Sequence, residues 1–93
     1  MNIETCHVVT ATYCEGAAEK RAPYREAHLE RVGKLIDAGA VIVAGALGDM
    51  SASLLVLAIE GEDAVRAVIE SDVYWQNGIW TDYEVKRLNR VVP

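Results

Sequence analysis

The sequence predicts an α+β protein of ferredoxin-like topology, with elements in the order βαββαβ. Three observations carry that expectation. Four short runs, at 5–13, 40–47, 53–60 and 79–88, are rich in β-branched, aliphatic or aromatic residues. Two amphipathic stretches at helical spacing lie between the first and second runs and between the third and fourth. The middle two runs are separated only by GDMSA, which is long enough for little more than a tight turn.

TCHVVTATY (5–13) is the first strand. EGAAEK reads as a polar loop, and Pro23 suits the first position of a helix. That helix continues to about Ala38, where Gly39 is placed to end it. AVIVAGAL (40–47) and SLLVLAIE (53–60) are strands two and three. GEDAVRAVIESD opens on acidic residues suited to a helix N-terminus and gathers Ala64, Val65, Val68 and Ile69 on one face. IWTDYEVKRL (79–88) alternates, and its charges suit a strand at a sheet edge. Right-handed crossovers put both helices on one face of a four-stranded antiparallel sheet. Strands two and three are each apolar on both faces, Val41, Val43 and Leu47 against Ile42 and Ala44 in the one, Leu55, Leu57 and Ile59 against Leu54 and Val56 in the other. The helices cover one face only, so a homodimer through the other sheet face is expected.

Ninety-three residues support one domain, 1–93, with a modest core. A net charge of −5 offers no basic face for phosphates, so no nucleic-acid partner is expected. The longest apolar run, AVIVAGALG, falls far short of the roughly 20 residues of a membrane span. MNIETCHVV does not read as a signal peptide, and a soluble cytoplasmic protein is expected. Cys6 and Cys14 sit at opposite ends of one strand, roughly 26 Å apart at 3.3 Å per residue. That span excludes a disulfide between them.

His28 is the residue that departs from the helical pattern. At about 100° per residue it falls within about 40° of Val32 and Leu35, on the apolar face. A hydrogen-bonded core histidine would occupy the same place. The topology, however, brings His28, Asp49, Ser51, Ser53, Asp72, Tyr74 and Trp75 to one edge of the sheet. A polar cluster framed by two aromatics suits a small-ligand pocket.

Arg25-Glu-Ala-His28-Leu29, Ala44-Gly45, Asp49, Ser53, Asp72-Val-Tyr74 and Gly78 together resemble the YCII-related family of small dimeric α+β-barrel proteins. The likeness runs nearly end to end. Ala46 and Val73 stand where the family pattern has prolines, and Ala52 where it has the glycine before the serine. The resemblance implies a His28–Asp72 dyad as the active site and no metal or organic cofactor. Assigned relatives include chloromuconolactone-type dehalogenases, and the fold is similar to that of muconolactone isomerases. Both chemistries move a proton beside an activated carbonyl.

Imidazole suits that task because its ordinary pKa near 6.5 lets it take and return a proton at neutral pH. Asp72 would orient the ring and stabilise the imidazolium, or it is a helix-end aspartate. Arg25 offers a bidentate clamp for a carboxylate, or else a salt bridge to Asp72 or a solvated side chain. Ser53 can donate to a carbonyl or enolate oxygen, or simply start a strand. It is no nucleophile of the G-x-S-x-G type. Tyr74 and Trp75 are candidate pocket walls, or core. Cys14 reads as an inert thiol, and His7, near the opposite end, takes no catalytic role. No H-E-x-x-H or Cys/His cluster is present, so no protein-held metal is expected. The expectation is a cofactor-independent enzyme transferring a proton on a small carbonyl, lactone or cyclic substrate. The rival readings are a non-catalytic small-molecule binding module and a cofactor-less monooxygenase.

Overall fold

The computed structural model describes residues 1–93. The chain forms β1 (Asn2–Tyr13), α1 (Ala17–Lys20), α2 (Ala22–Asp37), β2 (Val41–Ala46), β3 (Ala52–Leu57), α3 (Glu62–Glu70), α4 (Val73–Gln76) and β4 (Trp80–Val92). The sheet order is β2-β3-β1-β4 with every neighbouring pair antiparallel. This is the ferredoxin-like arrangement, in which each strand–helix–strand unit leaves a gap that a strand of the other unit fills. No helix is long and apolar enough to cross a membrane.

Strand alternation divides the sheet cleanly. His7, Val9, Ala11 and Tyr13 of β1 and Ser53, Leu55 and Leu57 of β3 are all buried. Register places them side by side, His7 opposite Leu57, Val9 opposite Leu55 and Ala11 opposite Ser53. Val65 and Ile69 of α3 and Tyr74 of α4 close over Val9, Leu55 and Leu57 in a single core. Complete burial of a side chain such as Leu57 contributes about 1.5–3 kcal/mol. The opposite face carries Val8, Leu54 and Val56, each half-buried, and Val43, which is 52% exposed.

Helix α2 ends where Gly39 adopts φ 78°. Gly39 N–H donates to Ile36 O and Ala40 N–H to Leu35 O, both at 2.9 Å, which is the Schellman pairing.

Four boundaries differ from the sequence expectation. Residues 17–20, read as loop, form one helical turn, as their good helix formers allow. Pro23 lacks the N–H that would join this turn to α2, and Arg21 becomes the hinge between the two. The stretch 61–72, read as one helix, stops at Glu70. Asp72 then takes an extended backbone (φ −75°, ψ 141°) and its side chain caps α4. Strands two and three are shorter than read, at Val41–Ala46 and Ala52–Leu57, with Ala58 N–H still donating to Ala40 O at 2.8 Å beyond their ends. Finally, β1 and β4 pair from Asn2–Val92 inward, so β4 outruns the apolar pattern that suggested an end at 88. Backbone pairing carries this ribbon, whose Ile3 and Val91 are exposed.

Candidate active site

His28 lies in the second turn of α2, and Asp72 precedes α4, 44 residues later. Their side chains meet, with His28 Nδ1 2.8 Å from Asp72 Oδ1. Both groups are removed from water, at 9% and 1% exposed. Asp72 Oδ1 also accepts from the Tyr74 backbone N–H at 2.9 Å. Oδ2 accepts from Arg31 Nη1 at 3.2 Å, and Arg31 Nη2 donates to Val68 O at 2.9 Å. A carboxylate only accepts, so Nδ1 carries the hydrogen in this bond and the neutral imidazole keeps its lone pair on Nε2.

Aromatic contacts fix the ring in the other directions. The Tyr74 ring stacks on it with centroids 3.7 Å apart and planes 8° from parallel. Trp80 meets it edge-on at 5.4 Å. Burial pushes the Tyr74 phenol above its ordinary pKa and Tyr13 adds to the effect, while Arg21 and Arg25 pull the other way.

His28 and Tyr74 line a cavity of about 220 Å³. Comparable apolar cavities of about 150 Å³ hold benzene, so this one has room for a single substituted ring. A second polar group lines the same space. Trp80 Nε1 donates to Ser53 Oγ at 3.1 Å, and Ser53 Oγ donates to the Tyr13 hydroxyl at 2.8 Å. Arg21 Nη1 also donates to that hydroxyl, at 3.3 Å. Leu29, Val32 and Leu55 supply apolar wall.

Of the residues singled out in the sequence, His28, Arg25, Ser53 and Tyr74 line this cavity, and Asp72 lies behind His28. Arg25 is exposed at the rim, and the ion pair to Asp72 is made by Arg31 instead. Trp75 departs from its expected place. It packs edge-on against Tyr83 at 5.2 Å, because adjacent residues on a helical turn point about 100° apart and Tyr74 takes the inward direction. Asp49 and Ser51 are also elsewhere. Asp49 Oδ1 accepts from the Ser51 N–H at 2.9 Å and its hydroxyl at 2.6 Å, shaping the exposed β2–β3 turn, and these bonds hold the Asp49 carboxyl below its usual pKa. Cys14 borders a separate shallow groove with Lys20 and Tyr24, and both cysteines are free thiols. His7 Nδ1 is 3.0 Å from Ile59 O, away from the cavity.

Sequence reasoning missed Tyr13, Arg21, Arg31 and Trp80. Arg31 was visible as the residue one turn beyond His28, and Tyr13 shares the inward parity of Val9 and Ala11. Arg21 and Trp80 gave no such signal, since each lies at an element boundary.

No curated protein matches the sequence. Among solved structures, the fold is similar to that of 5-chloro-2-hydroxyhydroquinone dehydrochlorinase (TftG) from Burkholderia phenoliruptrix AC1100, in complex with 2,5-dihydroxybenzoquinone. The TM-score is 0.80 at 21% identity, over 92% of this chain and 95% of that one. Residues 5–89 match the YCII-related domain, a span that runs from β1 into the far end of β4. The chain belongs to the YCII-related family.

Proposed function

We propose that this protein is a small cofactor-independent enzyme in which His28 transfers a proton on a small carbonyl, lactone or cyclic substrate. The observation that carries the reading is the 2.8 Å His28–Asp72 contact at the wall of a ring-sized cavity, with Nε2 left without a protein partner. In the reaction envisaged, Nε2 takes a proton from carbon beside a carbonyl, and the released pair moves toward the carbonyl oxygen. With a halide on the next carbon, that pair forms the new double bond and the halide leaves with its own bonding pair. Without one, the proton returns at a second carbon, giving isomerisation. Asp72 stabilises the imidazolium, and Arg25, Ser53 and Tyr74 surround the substrate. The dehydrochlorinase name of the structural neighbour supports the elimination form.

We also propose a homodimer that covers the open sheet face. Val43, Leu54 and Val56 form an apolar surface there with no helix over it. A monomer in sedimentation at micromolar concentration would remove this part.

The test of the catalytic reading is chloride release from 5-chloro-2-hydroxyhydroquinone and related chlorinated rings, by the native protein and by His28→Ala. Turnover lost in the variant with 2,5-dihydroxybenzoquinone still bound supports the reading. Binding without turnover in the native protein overturns it in favour of a binding module, and turnover that consumes oxygen assigns a monooxygenase instead.

A further inference from the structure

The cavity has a second chemical pole, away from the imidazole. Trp80 connects the two, with its ring edge-on to His28 and its Nε1 on Ser53 Oγ. At this pole two hydroxyl groups share one hydrogen bond, Ser53 with Tyr13. Two hydroxyls carry two protons, and their mutual bond uses one. Trp80 Nε1 and Arg21 Nη1 are both donors, so neither can accept the other proton. One O–H is therefore left over at a pair of side chains that both line the cavity. The count is the same whichever way the shared bond is oriented.

The charges point the same way. Arg21 and Arg25 line the cavity and neither has a carboxylate partner, although acidic residues outnumber basic ones by 14 to 9. The ion pairs of this chain are made by His28, Arg31, Lys34, Arg66, Lys86 and Arg90. Arg21 Nε is buried with no hydrogen-bond partner. A buried guanidinium N–H without an acceptor is costly, and Arg21 carries that cost at the cavity wall without a carboxylate to offset its charge. The spare hydroxyl proton and the two guanidinium charges without carboxylate partners thus favour the same kind of ligand, one with an anionic oxygen.

We propose that Tyr13, Ser53 and Arg21 form an oxyanion pole, and that the ligand is a planar single-ring anion. It carries a carboxylate, enolate or phenolate oxygen at this pole, with Arg25 at the rim adding attraction. The volume of about 220 Å³ limits the ligand to one ring with small substituents. This deepens the reading of the same cavity as a proton-transfer site and rests on it for the location of the substrate. A pole that binds a developing enolate oxygen also lowers the barrier to the proton removal assigned to His28.

The experiment is calorimetric titration of the native protein with benzoate and with its neutral isostere benzamide, repeated on Arg21→Gln, Arg21→Lys, Tyr13→Phe and His28→Gln. Benzoate should bind about tenfold tighter than benzamide, the value of one charge-assisted hydrogen bond. Arg21→Gln should erase that preference and Tyr13→Phe should weaken it, whereas His28→Gln should leave it in place. If Arg21→Gln fails to fold, Arg21→Lys serves, keeping the charge but losing the fork, and the preference should fall without vanishing. Equal affinity for the two probes, no binding of either, or a preference that survives Arg21→Gln overturns the pole. The two readings fail separately. An intact anion preference with turnover unaffected by His28→Gln removes the proton-transfer reading and leaves the pole standing.

Discussion

The imidazole of His28 lies flat on the Tyr74 ring, 3.7 Å between centroids, while Asp72, two residues before Tyr74, holds its Nδ1. One short segment thus provides both the shelf beneath the ring and the charge at its edge. The ring has little freedom left in orientation, which is the condition for a base of fixed direction.

Asp72→Asn should separate charge from shape. Asparagine caps a helix about as well as aspartate, so α4 should persist, while the loss of the Oδ2 acceptor for Arg31 lowers the melting temperature. The anionic partner of the imidazole is lost, and turnover should fall by roughly 10³- to 10⁴-fold. Asp72→Ala should lose the cap too, costing about 1 kcal/mol more in denaturant titration.

Arg31 bonds to Asp72 and to Val68 O, so under the proposed function it is a positioning residue. Arg31→Gln should lower kcat about tenfold, near the value of one charge-assisted hydrogen bond, and leave KM in place. A KM effect with kcat intact would place Arg31 against the substrate.

The convergence at one edge of α2, the segment after α3 and the start of β3 was legible in the sequence, because the βαββαβ order alone dictates it. Strand parity likewise set Leu55 and Leu57 on one face of their strand and Leu54 and Val56 on the other, and both of the first pair are in the core. The unread parts share a physical cause. Residues at breaks between elements, Arg21 at a proline-made hinge and Trp80 opening β4, have no periodic neighbours to fix their direction. Trp75 was misplaced for the same reason, since the break at Asp72 resets the helical phase and turns Tyr74 inward. The length of β4 was hidden because its last residues pair through backbone and bury little.

Ser53→Ala tests the polar layer under the cavity. The buried Trp80 Nε1–H loses its acceptor, a cost of about 1–3 kcal/mol. In a chain of this size each kcal/mol lowers Tm by about 4–8 °C, which a thermal melt followed by circular dichroism would resolve. An unchanged Tm would mean that water replaces the hydroxyl.

Tyr74→Phe addresses alkaline stability. The Tyr74 phenol is held above its ordinary value of 10.0, chiefly by burial. A raised value means that the folded state favours the protonated form, so this stabilisation is full below pH 10 and fades as pH climbs through the raised pKa. The variant should show a shallower decline of stability above pH 10 in urea titrations, with the ring shelf retained. The same slope in both proteins would assign the decline to other groups.

The cap on α4 has a consequence for how the site exists in time. A single helical turn has no stability of its own in water, and the Tyr74 amide hydrogen that anchors it is bonded to the same Oδ1 that holds His28. A local opening that melts this turn and displaces Asp72 exposes the amide to solvent deuterium and releases the imidazole together. Protection of one amide is therefore expected to report on the fraction of molecules in which Asp72 holds both α4 and the imidazole.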